Sequence, residues 1–93
     1  MEAYTFTRTD LASRALAAQE RATIESLLST NDLVKVDLSN VSSISESYAD
    51  ELFGVLVLQR GIDFVIKHLR IVNAADSVLR PIAVAMKRRT IAA

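Results

Sequence analysis

Apolar and polar residues recur along this chain with two different periods, and the switches between them delimit its elements. Residues 3–8 (AYTFTR) place Tyr4 and Phe6 on one face among β-formers, which predicts a first strand. Thr9 or Asp10 then stands where a side-chain oxygen can cap a helix. Residues 11–28 are alanine-rich, lack Gly and Pro, and set Leu16, Ala17, Ile24, Leu27 and Leu28 near helical spacing. Asn31 and Asp32 make a turn. Residues 33–38 return to period two, with Val34, Val36 and Leu38 on one face and Lys35 and Asp37 on the other. A polar loop follows, with Val41 and Ile44 as inward anchors.

A second helix is expected to start near Ser45–Ser47 and run to about Arg60. Ala49, Leu52, Phe53 and Leu56 form its inner stripe, broadened by Val55, Val57 and Leu58. Gly54 inside this helix predicts close approach to a neighbour, with the sheet as the expected one, and Gly61 ends the helix in the left-handed position. Residues 62–67 fit either a helical turn or a strand. Residues 69–73 (LRIVN) read as a third strand, and Asp76 or Ser77 caps a last helix reaching Arg89, with Pro81 in its first turn. The order β-α-β-α-β-α predicts one α/β domain over residues 1–93, with a small, mostly parallel or mixed sheet packed with helices. Function in such sheets gathers at the carboxyl ends of the strands, here residues 37–47 and 73–77.

Composition narrows the classes of function. The absence of cysteine excludes disulfides, a thiolate nucleophile and cysteine-ligated metal. The start MEAYTFTRTD lacks the charge and apolar pattern of a signal peptide, and the most apolar stretch, residues 52–58, is far shorter than a membrane span, so a cytoplasmic protein is expected. Zero net charge gives no global attraction to nucleic acid or membrane, and neither is an expected partner. Residues 1–60 carry nine acids and five bases, and residues 61–93 two acids and six bases; on so small a chain this asymmetry is best read as chance. No cofactor is expected, and the absence of a glycine-rich loop ranks nucleotide binding lower.

The candidate chemistry lies at residues 37–51. Ser47, at a helix mouth, meets unpaired backbone N–H groups and the positive end of the dipole, where a phosphate or a phosphoserine is accommodated. Glu46, Asp50 and Glu51 would repel such a phosphate, so a modification that breaks a contact is easier to build here than one that orders a loop. The plain reading of Ser47 is an N-cap with Asp50 as return acid. The plain reading of the three acids is dipole stabilisation, preferred over an oxygen-ligated metal site with Asp37. His68, the only histidine, reads as a boundary residue before a strand, and Lys87-Arg88-Arg89 as bases complementing a helix end. Asn73 caps the last helix or lines the partner surface. The Tyr48 ring, one residue from the inward Ala49, is half-buried or displayed, and a displayed ring would suit an interface anchor.

The strand and loop VDLSNVSSI and the run SYADELFG resemble the STAS-like family of small bacterial proteins, distant relatives of the anti-sigma-factor antagonists. The resemblance is specific over residues 33–56 and extends over residues 7–89. In the antagonists a similar strand and loop lead to a helix start reading Asp-Ser-Ser-Gly-Leu. Glu46 falls on the acid and Ser47 on the phosphoacceptor serine, while Tyr48 and Ala49 replace the Ser and Gly that follow. The resemblance implies a non-enzymatic regulatory module in signal transduction. It would bind a histidine-kinase-like ATPase or anti-sigma-type kinase through Glu46, Ser47, Tyr48, Asp50, Glu51 and Asn73, with Ser47 as its possible phosphoacceptor. The alternative is a small-ligand or nucleotide sensor holding an anion at the same helix mouth. Catalysis by the acids with His68 ranks last.

Overall fold

The structure, a computed structural model, describes residues 2–92. In chain order the elements are β1 (Glu2–Thr5), β2 (Asp10–Leu11), α1 (Arg14–Thr30), β3 (Val34–Asp37) and β4 (Ser43–Ile44). A composite helix follows, made of α2 (Glu46–Ala49), a π-helical turn (Asp50–Gly54) and α3 (Val55–Arg60). Then come α4 (Ile62–His68), β5 (Leu69–Val72) and α5 (Asp76–Ala92). The fold is the expected α/β class. Strands β1, β3 and β5 form one parallel sheet in that order.

The register explains which face of the sheet is dry. Tyr4, Val36 and Ile71 stand side by side, as do Glu2, Val34 and Leu69. Val34 and Val36 are buried, whereas Lys35 and Asp37 are only half-buried and Ala3, Thr5 and Arg70 are exposed. The helices therefore cover one face, and the other meets solvent. Phe6, Leu38, Leu52, Phe53, Leu56 and Ile82 meet in a single core, with the π-helical turn flanked by α1 and α5. Val41 is buried and Ile44 packs against the core, as the alternation predicts.

Four local expectations are corrected. Helix α1 starts at Arg14, not at residue 11, because Asp10 and Leu11 pair in parallel with Ser43 and Ile44. Ser13, rather than Thr9 or Asp10, supplies the cap, accepting from the Leu16 N–H at 3.3 Å. Pro81 lies in the second turn of α5, where its missing N–H leaves the carbonyl of Ser77 without a helical donor. Gly54 approaches α5 and not the sheet: a Cβ there would lie 3.1 Å from Arg89 Cγ and 3.4 Å from the Ala85 carbonyl oxygen. Residues 62–67, open between helix and strand, are helical, with Val65 buried against the core. Gly61 ends α3 as expected, with φ 87° and ψ 149°, an extended positive-φ conformation rather than the left-handed helical one and essentially restricted to glycine. Among the described residues no helix is long and apolar enough to cross a membrane.

Candidate functional site

The helix mouth is built by Ser45, not Ser47. Ser45 has extended backbone angles, and its hydroxyl oxygen accepts from the Tyr48 N–H at 3.0 Å. Its own hydroxyl donates to the Ala12 carbonyl at 2.9 Å, tying the mouth to the segment before α1. The Ser-x-x-Asp capping box expected at Ser47 is thus replaced by a Ser45 cap. Ser47 sits in the first turn, half-exposed, with its hydroxyl 3.1 Å from Ser45 Oγ and a long 3.4 Å bond to the Ala12 carbonyl. Relieved of capping, it keeps a half-exposed hydroxyl at this edge, where Ser39, Ser43 and Ser77 are more exposed.

Tyr48 is neither half-buried nor displayed. Its side chain is fully buried, and its hydroxyl donates to Glu20 of α1, a carboxylate that also receives the Tyr4 hydroxyl at 2.8 Å. Burial, reinforced by Glu20, pushes the Tyr4 phenol up to about 12 and the Tyr48 phenol higher still. An interface anchor at Tyr48 is therefore corrected to a core residue that ties α2 to α1.

Asp50 and Glu51 are not free acids. Arg89 of α5 grips Asp50 through two parallel bonds, Nε to Oδ1 and a terminal nitrogen to Oδ2, each 2.8 Å. Arg21 bonds Glu51 at 2.7 Å and also reaches its backbone carbonyl, while Arg14 spans both acids at 3.4 and 3.2 Å. Hydrogen bonding to Arg89 holds the Asp50 carboxyl below its ordinary range, and Arg21 does the same for Glu51. Gly54 makes this possible, since a Cβ there would stand 2.7 Å from Asp50 Oδ1. The repulsion expected between these two acids and a phosphate on Ser47 is largely neutralised by three arginines.

The strand ends form a second cluster. Asn73, with φ 59°, donates from its amide to Asp37 at 3.4 Å, and Asp37 accepts from the Ser39 N–H at 2.9 Å. Those Ser39 bonds hold the Asp37 carboxyl low. Asn73 thus bridges β5 to β3 and stays exposed at the carboxyl edge. His68 lies at the opposite edge, its Nδ1 2.7 Å from the Asp32 carbonyl and its ring packed at a tilt against Phe64, away from the acids. Among the described residues no group of three or more His, Cys, Asp or Glu side chains gathers as a metal site.

Two hollows open beside the mouth. Arg14, Arg88 and Arg89 line one together with Ser45, Ser47 and the acids Glu46 and Asp50. The other, about 330 Å³, runs along α5 past Ser77, Arg80, Pro81, Val84 and Arg88, with Glu46 on its facing wall. Sequence reasoning missed Arg14, Arg21, Glu20 and the role of Arg89. The first two carried a signal, because a seven-residue spacing puts both arginines on one side of α1.

Fold and site define a small α/β domain with helices on one face of a parallel sheet and a serine-bearing helix mouth at the carboxyl edge. The chain belongs to the STAS-like domain family of unknown function (DUF4325), whose model matches residues 19–79. No curated protein and no solved structure gave a significant match.

Proposed function

We propose that this chain is a non-enzymatic regulatory module that binds a partner protein through the edge around Ser47, with a histidine-kinase-like ATPase as the partner class. The observation that carries the reading is the Ser47 hydroxyl, half-exposed and free of capping duty beside a hollow lined by both arginines and acids. Exposed Glu46 and Asn73 and half-exposed Ser47 supply polar contacts, while Asp50 and Glu51 present a fixed, arginine-bound surface. Phosphorylation of Ser47 would act as the switch. It would remove the hydroxyl proton that now points at the Ala12 carbonyl and place negative charge against that oxygen, loosening the junction between α1 and the helix mouth.

The test is titration of the full chain into candidate ATPases by calorimetry, followed by incubation with Mg-ATP and intact mass. The expected result is binding, a mass gain of one phosphate that Ser47→Ala abolishes, and weakening of binding by Ser47→Asp of about tenfold. Normal binding by Ser47→Asp together with no mass gain would remove Ser47 from the mechanism. One observation favours a second reading, an anion sensor: Arg88, exposed and in none of the ion pairs of the described residues, shares the hollow with Ser45 and Ser47, against Glu46 in the same lining. A rise in melting temperature with nucleotides or inorganic phosphate would support that reading, because a ligand of the folded state stabilises it.

A further inference from the structure

The basic residues of α5 divide into two kinds. Arg89 turns inward to Asp50, and Arg14 and Arg21 of α1 are likewise spent on the acids of the π-helical turn. Arg80 and Arg88 are exposed, and among the described residues neither has a carboxylate within ion-pair distance. Both line the hollow of about 330 Å³ between α5 and the helix mouth. Between them, one helical turn from each, Val84 is 45% exposed, with Pro81 beside it and Ala85 beneath.

Ser77, Arg80, Pro81, Val84 and Arg88 fall at helical spacing, so this wall is a continuous stripe of α5. It presents an apolar centre flanked by two arginines that form none of the ion pairs of the described residues and whose backbone positions are about 12 Å apart along the axis. Among the described residues that line this hollow, Asp50 is already held by Arg89 and Arg14, which leaves Glu46 as the acid outside an ion pair; Asp76, one turn before Arg80, lies in a neighbouring hollow with it.

We infer that this groove receives an acidic amphipathic segment of a partner protein, which seats one large apolar side chain on Val84 and Pro81 and sets carboxylates against Arg80 and Arg88. The inference rests on the protein-binding reading above and specifies the chemistry of the segment bound. An apolar side chain entering the hollow gains burial, while carboxylates flanking it meet guanidinium groups that need not be released from other partners. A nucleic acid suits the groove less well, because its floor is aliphatic, it offers no aromatic ring for stacking, and Glu46 opposes a phosphate backbone. Five of the groove's lining residues, Arg80, Pro81, Val84, Ala85 and Arg88, lie outside the segment matched by the family model, so both the charge pattern and the apolar centre are features of this chain.

Display selection against the immobilised full chain, with random peptides of about twelve residues, tests it. The expected winners carry a large apolar residue with Asp or Glu about one turn to either side. Binding of the best peptide, measured by fluorescence polarisation, should fall at least about tenfold in Arg80→Glu/Arg88→Glu and in Val84→Asp. It should tighten about two- to threefold in Glu46→Gln and weaken between about 50 and 500 mM salt. Ile66→Asp, in the separate apolar hollow between α4 and α5, should leave it unchanged. Unaltered thermal melts establish that the variants are folded. Winners rich in Lys or Arg, or binding indifferent to the double reversal, would overturn the inference. If the winners ignore α5 but are lost in Ser47→Asp, the groove is wrong and the protein-binding reading stands. Absence of any winner overturns the groove, and the ATPase titrations then judge the broader reading on their own.

Discussion

Two serines two residues apart have opposite duties, and single substitutions separate them. Ser45 holds the cap and the tie to Ala12, so Ser45→Ala should cost about 1 kcal/mol in chemical denaturation. Ser47→Ala, which loses only a long bond and a hydroxyl contact, should stay within about 0.5 kcal/mol. A larger loss at Ser47 than at Ser45 would reverse the assignment and return the plain capping role to Ser47. The sequence pointed at the right turn of chain but at the wrong hydroxyl, because both serines satisfy the capping pattern and only backbone angles choose between them. Tyr48 was misread for a related reason. Its neighbour Ala49 faces inward, and on a regular helix adjacent positions diverge by 100°. Here both are buried, because the helix mouth is wedged between α1 and α5. Tyr48→Phe leaves the ring in place and deprives a charged acceptor of one donor. The expected cost is about 1.5–3 kcal/mol, and Tyr48→Ala should exceed it by opening a cavity.

The composite helix shows how one element carries both the core and the site. Its apolar stripe of Leu52, Phe53 and Leu56 was legible as helix, and all three are buried. The π-helical turn at Asp50–Gly54 was not legible, since hydrophobic spacing over five residues does not distinguish a locally widened turn from a regular one. Gly54 was legible as a contact point but not in its partner, since the α5 residues that meet it are 31 and 35 positions later in the chain. On propensity alone Gly54→Ala should stabilise a helix by up to about 1 kcal/mol. The opposite is expected here. The new methyl would lie 2.7 Å from an Asp50 oxygen that Arg89 holds in a bidentate grip, and 3.1 Å from Arg89 itself. The net loss should be about 1–3 kcal/mol by urea denaturation. In the Asp50→Ala background the methyl meets no pinned oxygen, so the same substitution should lose most of its cost. Additive losses would mean that the clash lies with the α5 backbone instead.

At the scale of the whole molecule, the parallel sheet, the buried side of β3 and the carboxyl edge were readable from period and alternation, because those signals are local, whereas the sheet order β1-β3-β5 and the short β2-β4 pair were not. The arginine clamps were not, because they join positions 14 to 50, 21 to 51 and 89 to 50. Charge counts by segment recorded an acidic first part and a basic last part. Part of that asymmetry is structural, since Arg89 of the basic part closes on Asp50 of the acidic part. These clamps and the Tyr4–Glu20–Tyr48 cluster act at opposite ends of the pH scale. Asp37, Asp50 and Glu51 are held below their ordinary values, so near those values the unfolded chain binds more protons than the folded one. Their stabilisation is present above the ordinary carboxylate range and is lost as pH falls through the lowered folded values. Tyr4 and Tyr48 are raised from 10.0, Tyr4 to about 12, so their stabilisation is complete below 10.0 and is lost as pH rises through the folded values. Unfolding free energy measured by urea should therefore be flat between about pH 5 and pH 9 and fall on both sides. Asp50→Asn should flatten the acid limb while leaving the alkaline limb intact, and Tyr48→Phe should do the reverse. A Tyr48→Phe variant with an unchanged alkaline limb would show that the buried phenol does not govern stability there, and an Asp50→Asn variant with the full acid limb would shift the acid sensitivity to Asp37 and Glu51.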